Sequence, residues 1–166
     1  MTSFPINTHR LDPYKIFKFQ VILDGQVVPG VSKVGPLRRH TATILYRDGS
    51  FPNHTVTAPG ITEFEPIVME RGITHDKTFE AWAALAYGGP GAQEISLKNF
   101  RKNVRINLLN EQGTVVRSYM IYRAWVSDYT ALPVMDALAN AVAIESIVLT
   151  YEGFEIDASV SEPVES

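Results

Sequence analysis

Two long stretches of alternating residues, 114–126 and 142–152, determine the fold class that this sequence predicts. Alternation at period two places successive side chains on opposite faces of a β-strand. Both stretches are longer than the usual strand of about 5–6 residues. The first follows the turn Asn110-Glu111-Gln112-Gly113, so residues 103–126 are predicted to form a long hairpin in a mainly β protein.

The two faces of the 114–126 strand differ, and the difference predicts an oligomer. The even-numbered face is nearly all apolar and is expected to cover the core: Val116, Ser118, Met120, Tyr122, Ala124 and Val126. The odd-numbered face mixes charges with large apolar groups: Val115, Arg117, Tyr119, Ile121, Arg123 and Trp125. Residues 143–152 are mixed in the same way. A mixed face suits a sheet that packs on a helix in one part and meets water or another subunit elsewhere. Long strands also have long edges, and exposed edges pair with other chains unless they are blocked.

The N-terminal half predicts shorter strands. The first strand is predicted at 17–21, and the Asp24-Gly25 hairpin turn leads to its partner strand, which starts at 26–28. One or two strands follow within 31–46, with a break at Gly35-Pro36, and another is predicted at 63–69. Pro66 restricts the last strand to a sheet edge or a bulge, because proline cannot donate to the ladder. Residues 47–60 are polar and proline-rich and are predicted to form a loop.

A single flanking helix is predicted in the stretch THDKTFEAWAALAYGGPG, residues 74–91. Its apolar face recurs at helical spacing: Phe79, Trp82, Ala83 and Ala86. Asp76 is placed to cap the N-terminus or to meet the helix dipole in the first turn. The Gly88-Gly89-Pro90 run ends the helix, since proline cannot continue it.

Length and composition predict one domain of ordinary globular character. The 166 residues are 45% hydrophobic and 20% charged. The predicted organisation is a flexible arm at 1–11, a β-barrel or sandwich of two antiparallel sheets at 12–155, and a flexible tail at 156–166. No apolar run approaches the roughly 18 residues of a membrane helix, and the N-terminus lacks a signal-peptide pattern. The chain is therefore expected in the cytoplasm, unless it is exported as part of a larger object.

The sequence offers no catalytic or metal-binding constellation. There are no cysteines, which excludes disulfides, thiolate zinc sites and cysteine nucleophiles. The histidines do not form a helical ligand pair: His9, His40, His54 and His75. Ser50 and Ser118 lack a nucleophile elbow. The prediction is no enzyme, no cofactor and no metal.

The basic cluster of the sequence is Lys98, Arg101, Lys102 and Arg105, with Phe100 among them. Basic residues interleaved with aromatics occur in some nucleic-acid binders. However, 15 basic residues face 18 acidic ones, a net charge of −3, whereas nucleic-acid binders usually have a basic balance. The composition favours a solvated linker or a patch for a protein partner.

From end to end, residues 12–155 resemble the tail tube protein family of contractile-tail phages and related contractile injection systems. The resemblance depends on the order of several short segments: Asp12-Pro13-Tyr14, the 17–21 strand with Asp24-Gly25, residues 31–35, Tyr46-Arg47-Asp48-Gly49, Pro59-Gly60, residues 69–73, Trp82, Trp125, residues 143–149 and Glu152-Gly153. The sequence departs from the family pattern at Ala139-Asn140-Ala141 and around the glycines of 88–98.

The resemblance implies a structural subunit. Six copies would form a ring with a continuous inner barrel, and rings would stack into a hollow tube that sheath contraction expels. The implied partners are other copies of the chain, a contractile sheath protein, and baseplate or adaptor proteins, with protein cargo or DNA in the lumen. The implied location is the bacterial cytoplasm during assembly, then a phage tail or tail-like particle.

The resemblance also suggests roles for individual residues. Contacts between subunits or rings are assigned to Tyr46, Arg47, Asp48, Phe51 and His54, and lumen-facing positions to Arg117, Arg123 and Glu145. Two alternative functions stay open: a tube-initiating or adaptor ring of the same family, and a small-ligand-binding β-barrel.

Overall fold

The computed structural model describes residues 13–47, 49–50, 53–87 and 98–163. In chain order its elements are β1 (Phe19–Leu23), β2 (Gln26–Val27), β3 (Val31–Val34), β4 (Arg39–Tyr46), β5 (Val56–Phe64), β6 (Ile67–Gly72), α1 (Thr78–Leu85), β7 (Lys102–Leu109), β8 (Val115–Thr130), β9 (Ile144–Thr150) and β10 (Gly153–Ile156). The predicted class, two antiparallel sheets with one helix, is confirmed. In the described ranges, no helix is both long enough and apolar enough to cross a membrane.

Strand β8 is shared by both sheets. The strand order is β2-β1-β7-β8-β9-β6-β3. The first sheet contains β2, β1, β7, β8 and β10, and the second contains β8, β9, β6 and β3. The first part of β8 pairs with β7 on one edge and with β10 on the other, where Gly153 lies opposite Tyr122. From Trp125 onward, β8 pairs instead with β9. The 16 residues of β8 therefore connect one sheet to the other.

A β-bulge at Arg123 changes which face of β8 is buried. The β7–β8 register moves from Val104 opposite Ile121 to Lys102 opposite Ala124, which inserts one extra residue in β8. Arg123 has a φ of 53° at this point. The predicted even-numbered face is correct at Val116 and Ser118, which are buried, and at Ala124 and Val126. It is wrong just before the bulge, where the odd-numbered Ile121 is in the core while Met120 and Tyr122 are only half-buried.

Side chains from both sheets and the helix meet in one core. Ile67, Ile147 and Leu149 of the second sheet are fully buried, as are Val104 and Ile121 of the first. The helix contributes Phe79 and Trp82, as its apolar spacing predicts. The Trp82 indole Nε1 also donates to the Phe100 carbonyl oxygen at 2.9 Å.

The Asp76 carboxylate stabilises the start of α1. The helix begins at Thr78, and Asp76 Oδ1 accepts a hydrogen bond from the Thr78 backbone N–H at 2.8 Å. The predicted capping role of Asp76 is therefore correct in function, although Lys77 occupies the N-cap position. The Gly88-Gly89-Pro90 run, predicted to end the helix, lies outside the described residues.

Two boundaries differ from the sequence prediction in the N-terminal half. The predicted 47–60 loop is shorter, because β5 begins at Val56; its register with β4 shifts by one residue between Pro59 and Thr62. The predicted 63–69 strand is broken at Glu65-Pro66, where β5 ends and β6 begins. Proline has no N–H for the ladder, so the break falls where the sequence gives a physical reason for it.

Candidate assembly surfaces

Strands β4 and β5 form a two-stranded ribbon that stands apart from the larger sheet. They pair from Arg39 opposite Phe64 to Tyr46 opposite Val56. Every residue of β4 is exposed. Among the described residues, neither strand has another ladder partner. An isolated two-stranded hairpin is marginally stable in water at best, so we expect this β4–β5 ribbon to need contacts from outside the chain.

The β4–β5 ribbon carries apolar side chains that its own chain does not cover. Leu45 is 71% exposed and Ile61 is 76% exposed, and Ile44, Tyr46 and Val56 are also exposed. Exposed apolar surface of this extent marks protein-interaction sites. The ribbon therefore has the two properties of an interface element, open strand edges and an uncovered apolar surface.

Aromatic packing anchors the base of the ribbon to the rest of the fold. The ring of Phe64, the last residue of β5, lies 5.8 Å from the ring of Tyr151 and 5.9 Å from that of Phe154. The Glu65 N–H donates to the Arg38 carbonyl oxygen at 3.1 Å, just outside the ribbon. These contacts fix the base of the ribbon, and its far end is the turn between β4 and β5.

The predicted contact residues lie at this far end. Tyr46 ends β4, and Arg47 and His54 are exposed beside the turn that joins the two strands. Asp48 and Phe51 lie outside the described residues. The structure therefore brings Tyr46, Arg47 and His54 to one end of the ribbon, and their contacts with another subunit stay a prediction.

A second uncovered apolar surface is the 131–143 loop. Its exposed large apolar residues are Leu132, Val134, Met135, Leu138 and Val142. Val134 is 96% exposed and Leu138 is 95% exposed. No residue of this loop is among the contact residues predicted from the sequence. The signal was five large apolar residues without strand or helix periodicity, because a segment that packs in its own core normally shows one of these periods.

The three predicted lumen residues occupy three different environments. Arg117 is exposed and lies over the Tyr119 ring, 5.9 Å from its centre. Arg123 is exposed, and its Nε lies 2.7 Å from Glu152 Oε2. Glu145 is buried, with a residue exposure of 5%. Because Glu145 has almost no exposed surface in the chain, it cannot line a channel without a rearrangement of the core.

Glu145 instead belongs to a buried ionic cluster at the start of the helix. Arg71 Nε donates to Glu145 Oε1 at 2.5 Å, and Arg71 Nη1 donates to Asp76 Oδ1 at 2.9 Å. The Tyr129 hydroxyl donates to Glu145 Oε2 at 3.1 Å. The Arg71 guanidinium also lies over the Phe79 ring, 4.4 Å from its centre. The cluster joins β6, β8, β9 and α1.

Two pKa shifts follow from this cluster. Hydrogen bonds from Thr78, then the bond and charge of Arg71, lower the pKa of Asp76 to about 2. Burial, followed by the hydrogen bond to Glu145, raises the pKa of the Tyr129 hydroxyl. Both groups therefore keep one protonation state at neutral pH, which suits a structural role. Among the described residues, no group of three His, Asp or Glu side chains could hold a metal ion.

An open ribbon and an uncovered apolar loop around a packed β core are features of a structural subunit that packs against other chains. The profile of the T4-like virus tail tube protein gp19 family matches residues 15–155, and the chain belongs to this family. The family predicted from the sequence and the function of a tail tube protein are both confirmed.

Solved structures show the same fold. The chain is 25% identical to a chain in the anti-feeding prophage cap, the tube-terminating cap, with a TM-score of 0.73, covering 95% of this chain and 99% of that one. It is 23% identical to a chain of the PVC sheath-tube complex in the extended state, with a TM-score of 0.71 and coverage of 88% and 92%. Hcp1 from Flavobacterium johnsoniae is 12% identical, with a TM-score of 0.52 and coverage of 89% and 98%. The comparison with curated protein sequences gave no match.

Proposed function

We propose that six copies of this chain form a ring, that rings stack into the hollow inner tube of a contractile particle, and that contraction of a surrounding sheath expels the tube. The observation that carries this proposal is the β4–β5 ribbon, whose strands pair only with each other among the described residues. Family membership gives the ribbon a purpose, because a tail tube protein must assemble.

The ribbon can supply the contacts between copies through its backbone and its side chains. The outer edges of β4 and β5 present N–H and C=O groups that a neighbouring strand can pair with. The exposed apolar residues, such as Leu45 and Ile61, would be covered in the same step. We assign the contacts at the ribbon end to Tyr46, Arg47, Asp48, Phe51 and His54.

Arg117 is our proposed lumen residue. It is exposed, and it makes no ion pair with any residue that the structure describes. Its charge would therefore set the polarity of a channel more strongly than that of Arg123, which pairs with Glu152. Glu145 is left out because it is buried. Protein cargo or DNA in the lumen stays part of the proposal.

The particle around the tube is inferred from the settings of similar chains. One similar chain lies in a sheath-tube complex and another in a baseplate. We propose a contractile sheath protein and baseplate proteins as partners. We propose assembly in the bacterial cytoplasm, followed by incorporation into a phage tail or tail-like particle.

A ring that starts or ends the tube is the second candidate. One similar chain lies in a structure of a tube-terminating cap, with 25% identity over 95% of this chain, which supports this candidate. The two candidates differ in the length of what they assemble, since a terminal ring stops after one layer and a tube protein continues.

Negative-stain electron microscopy of the purified chain over a range of concentrations, with light scattering, tests the proposal. We expect six-fold rings that extend into hollow rods. Rings that never stack would favour the terminal ring, and a monomer at every concentration would contradict self-assembly without a nucleating partner.

A matched pair of variants tests the ribbon itself. Replacing Leu45 and Ile61 by Asp should abolish rings and rods while the circular dichroism spectrum stays unchanged. Val27→Asp is the control, because Val27 is an exposed apolar residue on β2. Assembly of the ribbon variant at the wild-type concentration would contradict the role of the ribbon.

A further inference from the structure

A basic groove lies beside strands β1, β7 and β8, and its lining includes no residue of the β4–β5 ribbon or of the 131–143 loop. It is an open groove of about 1120 Å³. Its cationic lining residues are Lys98, Arg101, Lys102, Arg105 and Arg123. Four of these form the cluster found in the sequence, and the fold adds Arg123 from β8. The tube proposal assigns no role to this basic groove.

Acidic neighbours neutralise the groove only in part. Lys102 Nζ lies 2.6 Å from Asp24 Oδ2, and Arg105 Nη2 lies 3.6 Å from Asp157 Oδ2. Arg101 and Arg123 share Glu152, at 3.7 Å and 2.7 Å. Lys98 makes no ion pair with a residue that the structure describes. Five cations thus face three carboxylates, so the groove keeps an excess of two positive charges in a chain of net charge −3.

The backbone at Arg123 is strained in a way that positions its side chain at the groove. Its φ of 53° lies in the left-handed region, which non-glycine residues rarely adopt. The Asn103 side-chain oxygen accepts a hydrogen bond from the Arg123 N–H at 3.0 Å and holds this conformation. Strain of this kind persists where the surrounding structure enforces it and concentrates at binding sites.

Besides the cations, the groove is lined by apolar side chains as well as by polar ones, Asp24, Asn99 and Asn103. Ile22 lies opposite Arg105 on the neighbouring strand, and Arg105 lies opposite Met120 on the next. Leu85 of the helix also lines the groove. A ligand that matches this lining needs both negative and apolar groups. A nucleic-acid backbone supplies a continuous line of phosphates, which would meet the three carboxylates and leave the apolar lining uncovered.

We infer that the basic groove is a docking surface for an acidic polypeptide segment with interspersed apolar side chains, supplied by a protein partner. The carboxylates of the segment pair with the excess cations, and its apolar side chains cover Ile22, Leu85 and Met120. Charge complementarity of this kind gives specificity and fast association. The inference goes beyond the proposed tube, since it requires no contact between copies.

Fluorescence anisotropy with the full-length chain, below its assembly concentration, tests the inference. The probe is a labelled dodecapeptide that repeats Glu-Glu-Leu, and the comparison ligands are a Lys-Lys-Leu dodecapeptide and a single-stranded oligothymidylate. We expect salt-sensitive binding of the acidic peptide alone. Tighter binding of the oligothymidylate would overturn the inference in favour of nucleic acid.

Charge-reversal variants localise the binding. Arg101→Glu with Lys102→Glu should weaken peptide binding by about tenfold or more, which corresponds to about 1.4 kcal/mol. The control is Lys33→Glu with Arg38→Glu, because those exposed cations also pair with single carboxylates, Glu70 and Glu65. An equal loss in both double variants would show unspecific attraction and overturn the inference.

Arg123→Gly provides a second test that does not depend on charge reversal. Glycine adopts a positive φ without strain, so the folded chain should be at least as stable as the wild type. Peptide binding should nevertheless weaken, because the guanidinium is gone. Unchanged binding in this variant would contradict the role given to Arg123 and the inference with it.

Discussion

Arg71 and Glu145 form a buried ion pair between adjacent strands, with Nε and Oε1 2.5 Å apart and side-chain exposures of 1% and 7%. They are register partners on β6 and β9. Burial of two charges is costly unless both are well paired and hydrogen-bonded. Asp76 and Tyr129 complete these bonds, so the pair is a fixed junction between sheet and helix.

Removing one partner of this pair should strongly destabilise the fold. We expect Glu145→Ala to lower the free energy of unfolding by about 3–5 kcal/mol, because the Arg71 charge stays buried without its partner. The measurement is urea denaturation at concentrations where the chain does not assemble. Glu70→Ala is the control. It removes the partner of the exposed Lys33 and should cost about 0–1 kcal/mol. Similar losses of unfolding free energy in the two variants would contradict the larger role given to the buried ion pair.

Asp76 should make stability depend on pH in the acid range. Its pKa is about 2 in the folded chain against an ordinary value of 3.8. A lowered pKa means that the unfolded chain binds the proton more tightly, so the stabilisation is complete above about pH 4 and is lost as the pH falls toward 2. We expect the stability difference between wild type and Asp76→Asn to shrink over this interval. A difference that is constant from pH 7 to pH 2 would show that Asp76 is not linked to folding.

A side chain at Gly25, in the turn between β1 and β2, should destabilise the fold. Asp24 and Gly25 have φ values of 51° and 79°, as in the hairpin turn that this residue pair predicts. Gly25→Ala should cost about 1 kcal/mol, because alanine is strained at positive φ. Gly72→Ala is the matched control, since an added Cβ at Gly72 meets no atom within 4 Å and its φ is not positive. A lower denaturation midpoint for Gly72→Ala than for Gly25→Ala would contradict this prediction.

The 131–143 loop should matter for assembly and not for the stability of the single chain. Replacing Val134 and Leu138 by Asp should change the free energy of unfolding by less than about 0.5 kcal/mol, as for other exposed positions. The same variant should form fewer rings and rods by electron microscopy. Ile16→Asp, at a residue that is 90% exposed, is the control for added charge. Normal assembly of the loop variant would exclude the loop from the interfaces.

Features that depend on neighbouring residues were predictable from the sequence. The Asp24-Gly25 turn follows from the backbone preference of two residues. The helix follows from the spacing of Phe79 and Trp82 and from the Asp76 carboxylate at its start. The break at Glu65-Pro66 was not predicted, since one strand was expected over 63–69, although the missing N–H of Pro66 gives its physical reason. Each of these signals acts within a few residues along the chain.

Features that depend on distant partners were not predictable in this way. The alternation of β8 gives no sign of the bulge at Arg123, because the bulge is set by register with β7 and by the Asn103 side chain. Glu145 on a mixed strand resembles a lumen charge until the fold brings Arg71 beside it. The same limit explains Arg123, which joins Lys98 and Arg101 in the basic groove only after β7 and β8 pair.

The unpaired edges of the β4–β5 ribbon have a consequence for the length of a particle. If rings stack through their ribbons, the outermost ring always presents the same open strands as the ring before it. These contacts then set no limit to the number of rings. The number of layers must be counted by a molecule of another kind, and the growing end must be closed by a protein whose own edges are blocked.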